Sequence, residues 1–156
     1  MAKKVADQLV DTLEKAGVRR IYAVTGDSLN EVNEAVRKNG RLRWIHVRHE
    51  ETGAYAAAAE AQLTGELACC AGSSGPGHVH LINGLYDAQR SGARVLAIAS
   101  TIPSREFGTE YFQETNTIKL FDDCSYYNQV ATTPEQFPRM LQGAMQAAIS
   151  SCGVGV

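Results

Sequence analysis

The run "RVLAIAS" (94–100) constrains this chain more than any other feature. Between Arg94 and Ser100 five consecutive apolar residues leave no polar face, the pattern of a strand buried on both sides. Such a strand belongs inside a mostly parallel sheet, and parallel neighbours need crossover helices. The rest of the chain supplies them by alternation. "VADQLVDTLEKAG" sets Val5, Leu9 and Leu13, with Val10 alongside, on one helical stripe that stops at Gly17. "RRIYAVTG" is a short β-rich run, and Asp27 or Ser28 is placed to cap a second helix carrying Leu29, Val32 and Val36 up to Gly40. "RWIHV" is a strand, Glu50 to Leu63 an alanine-rich helix, "LACCA" a strand and "HVHLINGLYDAQRS" a helix. "YYNQV" predicts a further strand, "TTPEQFPRMLQGAMQAAIS" a helix with Thr133 as cap and Pro134 first, and "CGVGV" the opening of a last strand. The expectation is an α/β fold: three layers, doubly wound, with a mostly parallel sheet of about six strands and helices on both faces. Because the chain stops inside its last strand pattern, it reads as a fragment of a longer protein.

With 156 residues there is enough chain for one domain with a real core. A net charge of -2 without a basic patch or acidic tract points away from nucleic acid. No apolar run is long enough to span a bilayer, and Lys3 and Lys4 lead into an amphipathic segment rather than a signal peptide. A cytoplasmic setting with no membrane contact from this segment is the expectation. Cys69, Cys70, Cys124 and Cys152 form no C-x-x-C pair, and the first two read as small buried thiols within a strand.

Ligands of open α/β sheets sit at the carboxyl ends of the strands. Four loops fall there: 25–30, 48–51, 72–78 and 100–114. "GSSGPGHV" has the outer glycines of a P-loop, but His78 and Val79 stand where Lys and Ser/Thr must be. It also lacks the third glycine of a dinucleotide fingerprint. What remains is a tight turn, either a plain strand–helix connection or one whose Gly75 and Gly77 let backbone approach a ligand, stiffened by Pro76. "HEETG" fails as a zinc motif because the second histidine would fall at Gly53. Read alone, Glu50 is a first-turn acid favoured by the helix dipole, and His46, His78 and His80 are packing or surface histidines. "EYFQE" (110–114) lies in a long loop, where Phe112 and Gln113 form either the wall and amide of a small polar site or, with Tyr111, the aromatic anchors of a tucked connector.

Taken together, "VTGDSLN", "RHEETGAYAAAAEAQLTGELACCAGSSGPGHVHLINGLYDA", "VLAIAS" and "EYFQE", in this order, resemble the N-terminal pyrimidine-binding domain of thiamine-diphosphate-dependent enzymes. Within that family the likeness is to the bacterial pyruvate oxidases, with acetolactate synthases and other 2-keto acid decarboxylases more distant. The resemblance implies that Glu50 hydrogen-bonds N1′ of the cofactor's aminopyrimidine, so that the 4′-nitrogen takes the C2 proton and the C2 carbon attacks a keto acid, here pyruvate. In oxidases the electrons then pass to FAD. Alanine methyls around Glu50 disfavour its ionised form while the helix N-terminus favours it, a balance suited to proton sharing. By the same matching Gly26 and Asp27 line the pyrimidine pocket, Ser74, Gly75, Pro76 and Gly77 form the turn beside it, and Phe112 and Gln113 face the substrate. Arg48, His49 and Glu51 position or solvate the helix entrance. At His78 the chain departs from relatives that carry Asn or Ala.

The resemblance assigns no metal ligand to this chain. Diphosphate and Mg2+ would bind a G-D-G…N-N motif in a separate domain of a partner subunit, and FAD a middle domain; neither sequence is present. Residues 1–156 are thus expected to be the pyrimidine-binding domain of a homodimer or tetramer, peripheral to a membrane only through other parts. Alone, the domain is expected to bind thiamine diphosphate weakly or not at all and to have no turnover. A non-catalytic orphan α/β module is the alternative from another class.

Overall fold

The computed structural model describes residues 3–156. Its sheet contains β1 (Arg20–Ala23), β2 (Arg43–His46), β3 (Ala68–Gly72), β4 (Val95–Ala99) and β5 (Val154–Gly155), all parallel, in the order β2-β1-β3-β4-β5. The six-strand expectation is met closely. The "YYNQV" segment makes one parallel bridge, Tyr127 to Gly155, and donates Tyr126 N–H to the Val154 carbonyl at 2.8 Å. It extends the sheet beyond β5 without becoming a full strand.

The helices are α1 (Val5–Lys15), α2 (Asn30–Asn39), α3 (Glu50–Thr64), α4 (Pro76–Val79), α5 (Ile82–Arg90), α6 (Thr117–Leu120) and α7 (Phe137–Ser151). Two cores follow from the two-residue period of the strands. On one face Ile21, Ala23, Cys69, Ala71 and Leu96 meet α1, α2 and α7; on the other Ala68, Cys70, Val95 and Ala97 meet α3 and α5. β3 is buried along its whole length, so the neighbouring cysteines Cys69 and Cys70 point into opposite cores as packing residues.

Local signals explain most boundaries. Gly17 (φ 90°) closes α1 with a Schellman pair: Val18 N–H to Leu13 O and Gly17 N–H to Glu14 O, both 3.0 Å, with Val18 and Leu13 buried together. Two predicted caps do not hold. Neither Asp27 nor Ser28 caps α2; a 3-10 turn (Asp27–Leu29) intervenes, and the Ser28 hydroxyl accepts the Ser74 N–H instead. α7 starts at Phe137 rather than Pro134, because Gln136 Oε1 folds back onto Thr132 N–H and hydroxyl and holds a turn ahead of the helix. The helix predicted over "HVHLINGLYDAQRS" is broken at His80–Leu81 into α4 and α5.

The winding sets the site. β1 leads into α2 on one face and β3 leads into α4–α5 on the other, while β1 and β3 lie side by side. Their carboxyl ends therefore part at the topological switch point, where open α/β sheets leave a crevice.

Candidate functional site

Glu50 opens α3 where the chain leaves β2, and it is 7 % exposed. The helix comes that close to the sheet because Gly53 sits on β1. A Cβ there would stand 3.1 Å from the Tyr22 carbonyl oxygen, and Ala54, Ala57, Ala58 and Ala61 continue the small face. His49 is the N-cap, its Nδ1 accepting Glu51 N–H at 3.3 Å. This bears out the role expected of His49 at the helix entrance.

The Glu50 carboxylate is held from one side only. Its Oε2 lies 3.0 Å from His80 Nδ1, and because a carboxylate accepts, that nitrogen carries the proton. The His80 ring stacks on the His49 ring with centroids 4.3 Å apart and planes inclined by 26°. Among the described residues no hydrogen bond engages Glu50 Oε1, which lies beside Gly77: a Cβ on Gly77 would come within 3.3 Å of it. The site thus has a shielded carboxylate with one oxygen committed and one free, at a helix N-terminus. That arrangement can share a proton with a weakly basic ring nitrogen.

In sequence His80 reads as a packing or surface histidine, and nothing in its spacing signals the pairing with Glu50. The two lie 30 positions apart and meet only because α3 and α5 pack together. The spacing of Gly53, Ala54, Ala57 and Ala61 in α3 against Gly84 and Ala88 in α5 was the available signal for a close helix pair.

His49, Glu50 and His80 also put three donor atoms within 4.8 Å of one another. Metal coordination needs an ion in the plane of each ring at about 2.1 Å. Stacked planes inclined by 26° converge far beyond that length, and both Nδ1 atoms are already engaged. The geometry favours proton sharing over a metal.

The glycines of the turn pack closely against neighbouring loops. A Cβ on Gly72 would lie 2.5 Å from the Gly77 carbonyl oxygen, and one on Gly26 would collide with Ser73. Gly75 has φ 66° and ψ −120°, a region closed to other residues, and faces the Gln113 side chain. These glycines bring loops 24–29, 73–77 and the start of α3 onto one another. Pro76 begins α4 and is exposed. Ser74 N–H donates to Ser28 Oγ and Ser74 Oγ donates to Gln113 Oε1, each at 3.0 Å.

The 100–116 loop is not tucked down by aromatic anchors: Tyr111 is 45 % and Phe112 80 % exposed. Gln113 and Glu114 hold it instead, Glu114 accepting the Gly108 and Tyr111 N–H groups. Gln113 (φ 68°) and Glu110 (φ 58°) both adopt the left-handed conformation, which lets the loop double back so that Gln113 reaches Ser74. Phe112, Gln113, Asp27, Ser28 and Ser74 line a cleft of about 390 Å³, whose lining does not include Glu50 or Gly77. A more apolar groove of about 360 Å³ runs along α1 and α7 and contains neither Glu50 nor the glycine turn.

His78, 1 % exposed, ties these loops together. Its Nδ1–H donates to Ser100 O at 2.8 Å, leaving Nε2 to accept the Thr115 hydroxyl at 2.5 Å, with Phe121 edge-on. Burial pushes its pKa down, opposed by the Ser100 bond. Burial also drives the thiols up, Cys70 to about 12 and Cys124 to about 11, so neither is a nucleophile at neutral pH.

Residues 3–120 match the family model for the thiamine pyrophosphate enzyme N-terminal TPP binding domain. The chain is 57 % identical over 153 residues to an uncharacterized 42.6 kDa protein in the isoamylase 3' region of Pseudomonas amyloderamosa, covering 98 % of this chain and 39 % of that protein. It is 46 % identical to the putative thiamine pyrophosphate-containing protein YdaP of Bacillus subtilis, covering 100 % of this chain and 28 % of that protein. Identity to the pyruvate oxidase of Lactiplantibacillus plantarum is 38 %, over 95 % of this chain and 25 % of that protein. The chain thus spans between a quarter and two fifths of the length of these relatives.

Proposed function

The chain belongs to the thiamine pyrophosphate enzymes, as their N-terminal TPP binding domain, and on that premise we propose that its complete protein is a pyruvate oxidase in which Glu50 activates the cofactor. Thiamine diphosphate (thiamine pyrophosphate) supplies a carbon nucleophile and an electron sink for decarboxylating a 2-keto acid. The observation that carries the reading is the Glu50 carboxylate: shielded at the crevice, with Oε2 on His80 and Oε1 free beside Gly77.

The residues fit the pyrimidine half of the cofactor. Oε1 is the one acceptor oxygen left for a ring N–H, and low exposure makes proton sharing there cheaper than in water. On this reading Gly26, Asp27, Ser74, Gly75, Pro76 and Gly77 wall the pyrimidine pocket, and of them Gly77 lies directly beside Oε1. On this reading Phe112 and Gln113 face the substrate; both line the 390 Å³ cleft, the exposed ring offering an apolar surface and the amide a polar one. Mg2+ and FAD bind elsewhere in the complete protein. Pyruvate is the substrate, the protein works as a homodimer or tetramer in the cytoplasm, and the 156-residue domain alone has no turnover. No helix among the described residues is long and apolar enough to cross a membrane.

The test uses the complete protein with thiamine diphosphate and Mg2+. Bound flavin that bleaches on adding pyruvate, with reduction of an artificial acceptor, is the expected result. Acetolactate formation without acceptor reduction would replace the oxidase by a synthase. Tight cofactor binding without turnover of any 2-keto acid would point to a non-catalytic module.

A further inference from the structure

We infer that His80 is a positioning residue for Glu50, setting which carboxylate oxygen is presented to a ligand; the inference rests on the reading of Glu50 given above. A carboxylate on a two-bond stem can rotate to offer either oxygen, and a buried one with a single partner is aimed by that partner. Here the partner is the His80 Nδ1–H, 3.0 Å from Oε2.

Three further constraints keep His80 in place. Its ring lies against His49, whose own Nδ1 is pinned by the Glu51 N–H at the α3 cap, so the stack fixes the ring plane. His80 is the C-cap of α4, with its backbone N–H bonded to the Pro76 carbonyl, which anchors it at the junction with α5. One turn beyond the pair, Gly84 meets Ala54 so closely that a Cβ on Gly84 would lie 2.5 Å from Ala54 Cβ, and this contact fixes the spacing of the two helix starts. With Oε2 engaged, Oε1 is left beside Gly77.

An exposed ion pair would contribute little, and the His80 side chain is 42 % exposed. The carboxylate is not exposed, at 9 %, so the bond acts on a group that has few other partners. What His80 contributes is direction. The part of the ring that matters is the donor at the Nδ1 position, and the amide nitrogen of asparagine occupies nearly the same place.

Two measurements test this. In the 156-residue chain, ring 15N NMR should find His80 protonated at Nδ1 in the wild type and shifted to the Nε2–H form in Glu50→Ala, with unchanged far-UV circular dichroism. In the complete protein loaded with thiamine diphosphate, His80→Ala should slow exchange of the cofactor C2 proton about tenfold, the lower range for losing one hydrogen bond to a charged group. His80→Asn should stay within about threefold of wild type, since it keeps the donor. An Nε2–H wild-type ring, an unaltered His80→Ala rate, or His80→Asn falling as far as His80→Ala each overturns the proposal. Glu50→Gln exchanging at the wild-type rate would instead remove the reading of Glu50, while the NMR result would still report whether the pair exists.

Discussion

Substituting Gly84 with alanine should weaken the domain, although alanine is the better helix former. Gly84 is buried in α5, and its added methyl would stand 2.5 Å from Ala54 Cβ and 2.8 Å from the Tyr55 backbone nitrogen. Carbon atoms pack at about 3.5–4.0 Å, so α3 and α5 must separate by roughly 1 Å. Neither neighbour is the flexible end of a side chain, so the helices themselves must move. Overpacking of this kind costs about 1–3 kcal/mol, set against about 1 kcal/mol of gained helix propensity. The net is a loss of up to about 2 kcal/mol, with Tm falling roughly 2–4 °C for each kcal/mol in a domain of this size. The same separation would stretch the His80–Glu50 bond beyond hydrogen-bonding range, because both residues lie one turn away. Urea denaturation of the variant beside Asn83→Ala, an exposed position of the same helix, isolates the packing effect. Asn83→Ala should gain a few tenths of a kcal/mol. A Gly84→Ala protein that gains stability by as much as the helix propensity alone would give, about 1 kcal/mol, would refute the close α3–α5 contact.

Two further outcomes follow from burial. The folded-state pKa of His78 lies below its ordinary value of 6.5, so on acidification the unfolded chain takes up that proton first. Its contribution is fully present above about 6.5 and is lost as pH falls from there towards the lowered folded value; Tm should decline over this window, and His78→Gln should flatten the decline. Coincident Tm–pH slopes for the two proteins would contradict it. Cys152 is exposed while Cys69, Cys70 and Cys124 are buried, so a chromogenic thiol reagent should find one fast thiol in the native chain and four after denaturation; several fast native thiols would show the cores to be open.

Much of the fold was legible because its signals are local. "RVLAIAS" and "LACCA" announce buried strands by composition alone, and the stripe of Val5, Leu9 and Leu13 with Gly17 behind it marks α1 and its end. Failures came where one side chain had two possible partners. Ser28 is a good cap by type, yet Ser74 N–H, 46 residues away, claims its hydroxyl. Pro134 fits a first helical position, yet Gln136 closes a turn ahead of α7. At the site, Glu50 stood out because an acid beside an alanine run is unusual locally. His80 did not, because its role exists only through the packing of α3 on α5. His78, left open by the resemblance, proves to be a tie between loops rather than a ligand group.

The proposed function stands on a proton shared between Glu50 and the cofactor ring. It is tested most directly by C2–H/D exchange of thiamine diphosphate bound to the complete protein, compared between wild type and Glu50→Gln by quenched-flow NMR. Glutamine keeps the shape and the His80 contact but not the proton exchange. The rate in Glu50→Gln should fall about a hundredfold or more, in the range for losing general acid–base catalysis, with cofactor still bound and the fold intact. Exchange within a few-fold of wild type in a fully loaded Glu50→Gln protein would contradict it.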